Sequence, residues 1–400
     1  MGKSKYDADI IIIGGGAAGL SLAVSLSYLV DLPRILILEV RPKYTNDRTW
    51  CFWGKQSLNR HLPISRSWSS WSFSANGKHV THESEHWHYH HIAAEDFYHF
   101  SQSLLRLNPH CLMHMNTKVD KLEASKDGVK VITGDQHFFA RQVVDTRPPE
   151  LTQVTTAPLF QIFYGAEVTT SSPVFNQQIP MLMDRLNDTS LGLTFNYLLP
   201  LEENRALIEL TAFSPKLFAP ETLRPILTKL LRYRFSPHKD WKISREEQAV
   251  LPMGMKLSEP DKDSNIILAG MNAGALRPSS GYAFLRIQAW AKKCAEHYRK
   301  WSVIPHLDSS SPTQRTMDSL FLDVLSSNET SASNLFIDMA DRVNADCFAR
   351  FMSDNATPLD NLKVINAMPA APFIKAAVSN LQSAFQRINS RDFYTNKKQF

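Results

Sequence analysis

The sequence predicts an α/β fold: a Rossmann-type dinucleotide-binding domain, an antiparallel β-sheet domain and a helical C-terminal region. Three features point to it. The stretch Asp9–Glu39, DIIIIGGGAAGLSLAVSLSYLVDLPRILILE, strings together an apolar run, a glycine turn, a small-residue helix and a second apolar run. Pro158–Pro215 is a succession of aromatic and β-branched runs separated by turns. From Ser309 onward, apolar residues recur at helical spacing.

Each part of the first stretch has a physical reason. An unbroken isoleucine run suits a parallel strand buried on both faces. Gly14, Gly16 and Gly19 then complete G-x-G-x-x-G. The first glycine permits the tight turn, the second lets backbone approach a diphosphate, and the third lets the helix pack on the strand. The helix opens at Ala17 and Ala18, where free N–H groups and the dipole favour a negative charge. Glu39 ends the second run, placed to accept hydrogen bonds from a ribose. An acid at this position fits FAD or NAD.

The composition is that of an ordinary globular chain, with 43% hydrophobic and 21% charged residues in 400. Cys51, Cys111, Cys294 and Cys347 lack the spacing of a zinc site or a disulfide framework. No apolar run reaches the roughly eighteen residues of a membrane span. The start MGKSKYDAD has no signal-peptide h-region, so a cytoplasmic protein is expected. The net charge of +5, without basic blocks or nucleic-acid motifs, argues against nucleic-acid binding. That mild excess is compatible with resting on an anionic membrane surface.

After Glu39, an aromatic turn-rich segment leads into alternating stretches at Trp68–Phe73 and Lys78–Thr81, read as a β-ribbon. His82, His86, His88, His90, His91 and His99 follow. With no fixed carboxylate partner they read as a polar strand face, and no metal is assigned. Glu95–Leu107 reads as a helix. Leu112–Met115, Val119–Ala124, Val129–Thr133 and Phe138–Val144 read as short strands. The last runs into Asp145 and Arg147, which suit either a cofactor contact or a structural turn. Pro220–Arg234 reads as a helix. Asn265–Gly281 reads as a strand and glycine loop before a helix over Tyr282–Lys300, with Gly270, Gly274 and Gly281 as cofactor candidates. The tail reads as five helical pieces, MDSLFLDVL, SNLFIDMADRV, ADCFARFM, PLDNLKVINAM and APFIKAAVSNLQSAF. The expected division is 1–45, 85–150 and 245–300 for FAD, 46–84 and 151–244 for substrate, and 301–400 as a helical lid facing the membrane.

Several separated motifs resemble the flavin-dependent lycopene β-cyclases of bacteria and plants, in the same order. They are Arg48-Thr49-Trp50 with Phe52, Ala94-Glu95-Asp96-Phe97-Tyr98, Phe163-Tyr164-Gly165-Ala166-Glu167, Leu182-Met183-Asp184, Arg245-Glu246-Glu247-Gln248 with Leu251-Pro252, and Gly274 through Pro278-Ser279-Ser280-Gly281-Tyr282. The family's FLEET stretch maps onto Leu207-Ile208-Glu209-Leu210-Thr211. Glu209 keeps the first glutamate; Leu210 replaces the second acid, which implies a slower enzyme or a different polyene if that acid tunes the first.

The resemblance implies a two-dinucleotide-binding flavoprotein that closes the ψ end groups of lycopene into β-rings, giving γ- and β-carotene. It implies reduced FAD, with NAD(P)H as reductant, for a reaction that is redox-neutral overall. Such chemistry needs a carboxylic acid in a dry pocket, stabilisation for a cation, and a base. Glu209 is the candidate acid, unless its alternation with Ile208 and Leu210 marks a solvent-facing edge strand. Asp184 and Glu167 are secondary candidates. Arg48 and Thr49 join the cofactor set; Trp50, Phe52, Tyr197 and Tyr282 are candidates for lining the substrate. An insoluble polyene implies a peripheral membrane protein. The alternatives are a flavin monooxygenase or halogenase, a cyclase of another polyene, or a non-catalytic binder. The monooxygenase and halogenase reading is disfavoured by Gly270-Met271 in place of Gly-Asp and by the lack of W-x-W-x-I-P.

Overall fold

A computed structural model describes residues 5–236, 240–259, 261, 264–306, 310–327 and 331–382. The chain divides into two units. Met1–Ser70, Glu83–Ala157 and Met255–Ser311 form the first; Trp71–His82, Pro158–Gly254 and Pro312–Phe400 form the second.

In the first unit the isoleucine run forms the strand Ala8–Ile13, with every residue from Ile10 to Ile13 buried. It lies between two parallel neighbours, Ile35–Leu38 and Gln136–Asp145. Cys111–His114 extends the sheet in parallel beyond Ile35–Leu38. Ile266–Leu268 runs parallel beside Gln136–Asp145. Gly128–Thr133 and Lys121–Ser125 complete an antiparallel meander. The sequence reading has Leu112–Met115 as one of four successive short strands, with no partner assigned. The structure makes it a parallel edge strand, because it pairs with Ile35–Leu38.

Alternation along the first strand divides the core. Ile10 and Ile12 pack with the helices Ala17–Leu26, Ala94–Leu105 and Phe284–Trp301, while Ile11 and Ile13 pack with Val129, Val131 and Val143 of the meander side. A three-stranded sheet of Thr49–Lys55, Trp87–Ala93 and Arg66–Trp68 completes this unit.

The second unit is a seven-stranded sheet. Its order is Trp241–Met253, Leu159–Thr170, Arg205–Ser214, Gly192–Glu202, Met181–Thr189, Ser70–Ala75 and Lys78–Glu83. The last two form a hairpin turned at Asn76-Gly77, both at positive φ, the geometry that asparagine and glycine favour. The expected β-ribbon is thus divided: Arg66–Trp68 joins the small sheet, and the hairpin joins the large one.

The helices Pro312–Ser326, Ala332–Arg342, Ala345–Met352 and Pro358–Ala367 follow, with residues 370–382 helical as well. Ser383–Phe385, the end of the last expected piece, lie outside the described residues. Ser331, Asn344 and Thr357 cap three of these helices with their side chains, and Thr357 forms a capping box with Asp360. The expected helix at 220–234 begins as a tight turn, Pro220–Leu223, before the α-helix Arg224–Arg234.

Candidate functional site

In the first unit the glycine loop sits at the carboxyl ends of the parallel strands. Gly14 has φ +96°, which a side chain rarely tolerates. A Cβ on Gly19 would overlap the Gly14 carbonyl oxygen, so the helix lies directly on the loop. Gly16, the residue before the helix Ala17–Leu26, has nothing within 4 Å of where its Cβ would stand. Open space at a helix N-terminus is what a diphosphate needs. The loop at Gly270–Ala273 borders the same place, since a Cβ on Gly270 would lie 3.5 Å from the Ala18 methyl. These residues fit a dinucleotide.

Glu39 is buried and fully engaged. Its Oε2 accepts from the Gly15 N–H at 2.6 Å and from Arg41 at 3.0 Å. Its Oε1 accepts from the Arg41 backbone and Nε at 2.8 and 2.9 Å. Burial alone would raise this carboxyl, but the Arg41 fork and the backbone donors hold it below the usual range. A ribose hydroxyl would have to take the place of an Arg41 donor. Arg41 also reaches the Tyr98 hydroxyl and Asp47, and its guanidinium lies over the rings of Tyr44 and Tyr98.

Asp145 ends its strand in register with Ile13 and Leu268, and its own Arg147 closes on it at 2.6 Å. Arg48 pairs with Asp47 at 2.9 Å, while Thr49 starts the strand paired with Ala93. Phe52 is in the core, stacked on Phe284 at 5.2 Å, with Trp50 against Phe97, Tyr98 and Phe284. The Tyr282 hydroxyl is 3.1 Å from that of Tyr89, and the Tyr282 ring meets Trp53 edge-on. Gly274 and Gly281 both turn the loop before Phe284 at positive φ.

The second unit holds a carboxylate network on one face of its sheet. Glu209 lies on Arg205–Ser214, flanked on both sides by strands, and is only 8% exposed. It is therefore not an edge-strand surface residue. Tyr197 is its partner on one flank, Gly165 on the other, and Gly165 in turn pairs with Glu247. Residues directly paired across strands point to the same side, so Glu209 and Glu247 stand on one face with only a glycine between them. A Cβ on Gly165 would be 2.7 Å from the Glu209 Cγ. The two carboxyls lie near enough for Glu247 to act on the Glu209 proton.

Behind Glu247 the charges alternate. Arg245 bonds Glu247 Oε2 and lies 3.3 Å from Glu167, which Arg205 also meets at 3.2 Å. A bulge at Ser244 turns that hydroxyl onto Glu167 at 3.3 Å. Burial pushes the Glu209 carboxyl well above the usual carboxylate range; Glu247 adds to this and Arg245 partly offsets it. Its surroundings thus favour the neutral, protonated form of Glu209 over the carboxylate.

At the far end of the same face, Phe213 meets Phe195 and Phe336, and Phe336 meets Phe321, so the helices Pro312–Ser326 and Ala332–Arg342 cover that end. The opposite face carries Tyr164 and Leu210 under the helix Arg224–Arg234, with the Arg224 guanidinium over the Tyr164 ring. Leu210 therefore points away from Glu209. Asp184, paired with Asn196 and bonded to Ser74 at 2.6 Å, also belongs to the face away from Glu209.

The structure thus brings Glu209, Glu167 and Tyr197 onto one face and leaves Asp184 on the other. The motifs contained Glu247, Arg245 and Gly165 without marking them as partners of Glu209, because only strand register brings them together.

Residues 9–378 match the family model described as lycopene cyclase protein. A lycopene beta-cyclase from Pantoea ananas is 24% identical over 388 residues, covering 92% of this chain and 96% of its own length. A chloroplastic neoxanthin synthase from Solanum tuberosum is 30% identical over 151 residues, 34% of this chain and 29% of its own. A geranylgeranyl bacteriochlorophyll reductase-like protein from Thermoplasma acidophilum superposes with a TM-score of 0.58 at 12% identity, covering 92% of this chain and 98% of its own. A halogenase in complex with phloroglucinol and FAD gives 0.53 at 13%, covering 87% and 79%. At these identities the structural likeness is one of fold, a Rossmann-like α/β fold used by FAD-dependent enzymes. The sequence match, running nearly end to end, places the chain in the lycopene cyclase family.

Proposed function

We propose that this protein is a lycopene β-cyclase that converts ψ end groups to β-rings without net redox change, with Glu209 as the proton donor. The observation that carries the reading is a buried carboxyl on a central strand, its protonated form favoured by burial, in a chain of this family. Glu209 gives its proton to the terminal trisubstituted alkene, the neighbouring double bond closes on the tertiary cation, and loss of a ring proton ends the reaction. A dry site keeps the acid loaded and denies water to the cation. Tyr197, beside Glu209, is assigned to the substrate.

FAD is assigned to the first unit, with the diphosphate at Gly14, Gly16, Ala17, Ala18 and Gly19; Arg48, Thr49, Asp145, Gly270, Gly274 and Gly281 are assigned to the surrounding cofactor site. Bound and reduced by NAD(P)H, it would supply negative charge to stabilise the substrate cation. Trp50, Phe52 and Tyr282 remain candidates for lining the polyene; Asp184, bonded to Ser74 on the face away from Glu209, is given no part in the proton transfer.

We assign the protein to the membrane periphery. Among the described residues no helix is long and apolar enough to cross a membrane. Leu359, Leu362, Ile365, Ile374, Val378 and Leu381 are exposed on the last two described helical segments, beside the exposed Lys363 and Lys375. Apolar groups flanked by cations suit an anionic lipid surface.

The test is pigment chromatography of a lycopene-accumulating bacterial host expressing the wild type or Glu209→Gln. Cyclic carotenes from the wild type alone are expected. Conversion by both removes Glu209 from its role. Unchanged lycopene with soluble, FAD-loaded wild type refutes the cyclase reading, and substrate-dependent NAD(P)H oxidation would then favour a monooxygenase.

A further inference from the structure

We propose that Glu247 is a positioning residue for Glu209: held by Arg245, it shares a proton with Glu209 across the bare backbone of Gly165 and keeps the acid loaded between turnovers. The inference rests on the cyclase reading for its purpose and on the sheet register for its geometry.

The strands carrying the two glutamates are not neighbours. Leu159–Thr170 lies between them, so their backbones are separated by two strand spacings, about 9.5 Å. Two glutamate side chains span that gap only by leaning toward each other over the intervening residue, and the residue there is Gly165. Any Cβ would enter the volume of the Glu209 stem, 2.7 Å from Cγ and 3.3 Å from Oε1. Arg245 fixes Glu247 through Oε2 and is itself braced by Glu167 and, through it, Arg205. Among the described residues, the charges that act on Glu209 are those of Glu247 and Arg245, with Glu167 and Arg205 further along the same face; Tyr197 is the pair of Glu209 on the other flank, and the covering helices contribute Phe321 and Phe336 at the far end of this face.

A pair sharing one proton solves a difficulty of carbon protonation in a dry site. Once the proton leaves Glu209 for the alkene carbon, two carboxylates face each other with only Arg245 between them and the next charge. That state favours recapture of the proton released from the ring, so the pair ends each turnover as it began. One proton is given, one is returned, and no oxidant or reductant takes part in the transfer.

The experiment uses the FAD-loaded full chain. Cyclisation rate against pH is measured for the wild type, Glu247→Gln and Glu247→Asp. Replacing an anion by an amide while Arg245 remains should move the alkaline limb of the profile to lower pH by at least about one unit. Glu247→Asp, which keeps the charge, should leave the limb nearer that of the wild type. A uniform loss across pH with an unmoved limb would overturn the proposal and leave Glu247 a structural residue.

Infrared difference spectroscopy reads the same group without turnover. A carboxylic acid C=O band present in the wild type at neutral pH and absent in Glu209→Gln should titrate away at lower pH in Glu247→Gln; an unchanged titration overturns the proposal. A wild type that shows the band and its shift yet makes no cyclic product would refute the cyclase reading alone.

Discussion

Gly165→Ala separates the geometry of the acid from its chemistry. Gly165 is not among the residues at positive φ, so alanine can adopt its backbone and would lower the entropy of the unfolded chain, a gain of about 0.4–1 kcal/mol. Against this, the new methyl stands 2.7 Å from Glu209 Cγ and 3.4 Å from Cδ. Overpacking of that kind costs about 1–3 kcal/mol. The net loss of stability is therefore about 0–2.5 kcal/mol, which lowers Tm by several degrees at most. The catalytic cost is larger. The stem of the acid must swing aside, its approach to Glu247 is lost, and misplacement of a reacting group by about 1 Å costs on the order of 100-fold in rate. Rates of β-ring formation with purified, FAD-loaded protein, set beside thermal melts, give both quantities. A folded Gly165→Ala protein cyclising within about 3-fold of wild type would refute the assignment of Gly165 as the gap through which the two carboxyls meet.

The glycine loop yields a pair of opposite outcomes. Gly16→Ala should melt like the wild type without flavin yet bind FAD at least about ten-fold more weakly in a flavin titration, because its methyl enters otherwise open space. Gly19→Ala should instead lose several kcal/mol of stability, on the order of severe core overpacking, because its methyl overlaps the Gly14 carbonyl. Glu209→Gln should be more stable than wild type, and increasingly so as pH rises. The folded protein holds a proton on Glu209 that the unfolded chain releases above about pH 4.3, so wild-type stability falls by up to about 1.4 kcal/mol per pH unit from there to the raised value. A Tm difference that stays flat between about pH 5 and 8 would contradict a proton-holding Glu209. Replacing Leu362 and Ile365 together by glutamate should weaken co-sedimentation with phosphatidylglycerol vesicles by at least about ten-fold; unchanged binding would exclude that surface.

What the sequence disclosed is what short-range pattern encodes. The isoleucine run, the three glycines and the helix after them are contiguous, and each is explained by its nearest neighbours, so the nucleotide loop is readable residue by residue. Helix starts in the tail are readable for the same reason, since Ser331, Asn344 and Thr357 act within their own first turns. Glu39 marks the limit of this kind of reading. The acid is where the pattern expects it, but Arg41, two residues on, occupies both of its oxygens. The parallel pairing of Cys111–His114 was equally hidden, because four half-exposed residues carry no signature of their partner. The network around Glu209 draws on three strands whose key positions, 165, 209 and 247, are some forty residues apart in sequence. No local pattern encodes that register.

The same distinction explains why Leu210 is not a missing acid of this site. Consecutive residues of a strand face opposite ways, so whatever occupies position 210 points toward Tyr164 and the helix Arg224–Arg234, away from the Glu209 carboxyl. A carboxyl there would stand beside its cross-strand partners Tyr164 and Asn196, on the wrong side of the sheet to exchange a proton with its neighbour in sequence. The acid that does reach Glu209 comes from a strand beyond the adjacent one, through the single position in Leu159–Thr170 where the intervening residue has no side chain. Proton affinity at Glu209 is thus a property of three strands held in register: Gly165 leaves the room, Glu247 with Arg245 sets the field, and on the proposed mechanism Glu209 supplies the proton. A shift of one residue in the pairing of Trp241–Met253 would exchange Glu247 for Glu246 or Gln248, whose side chains now face Arg224 and Glu221 on the other side of the sheet, and would leave Glu209 buried without its partner.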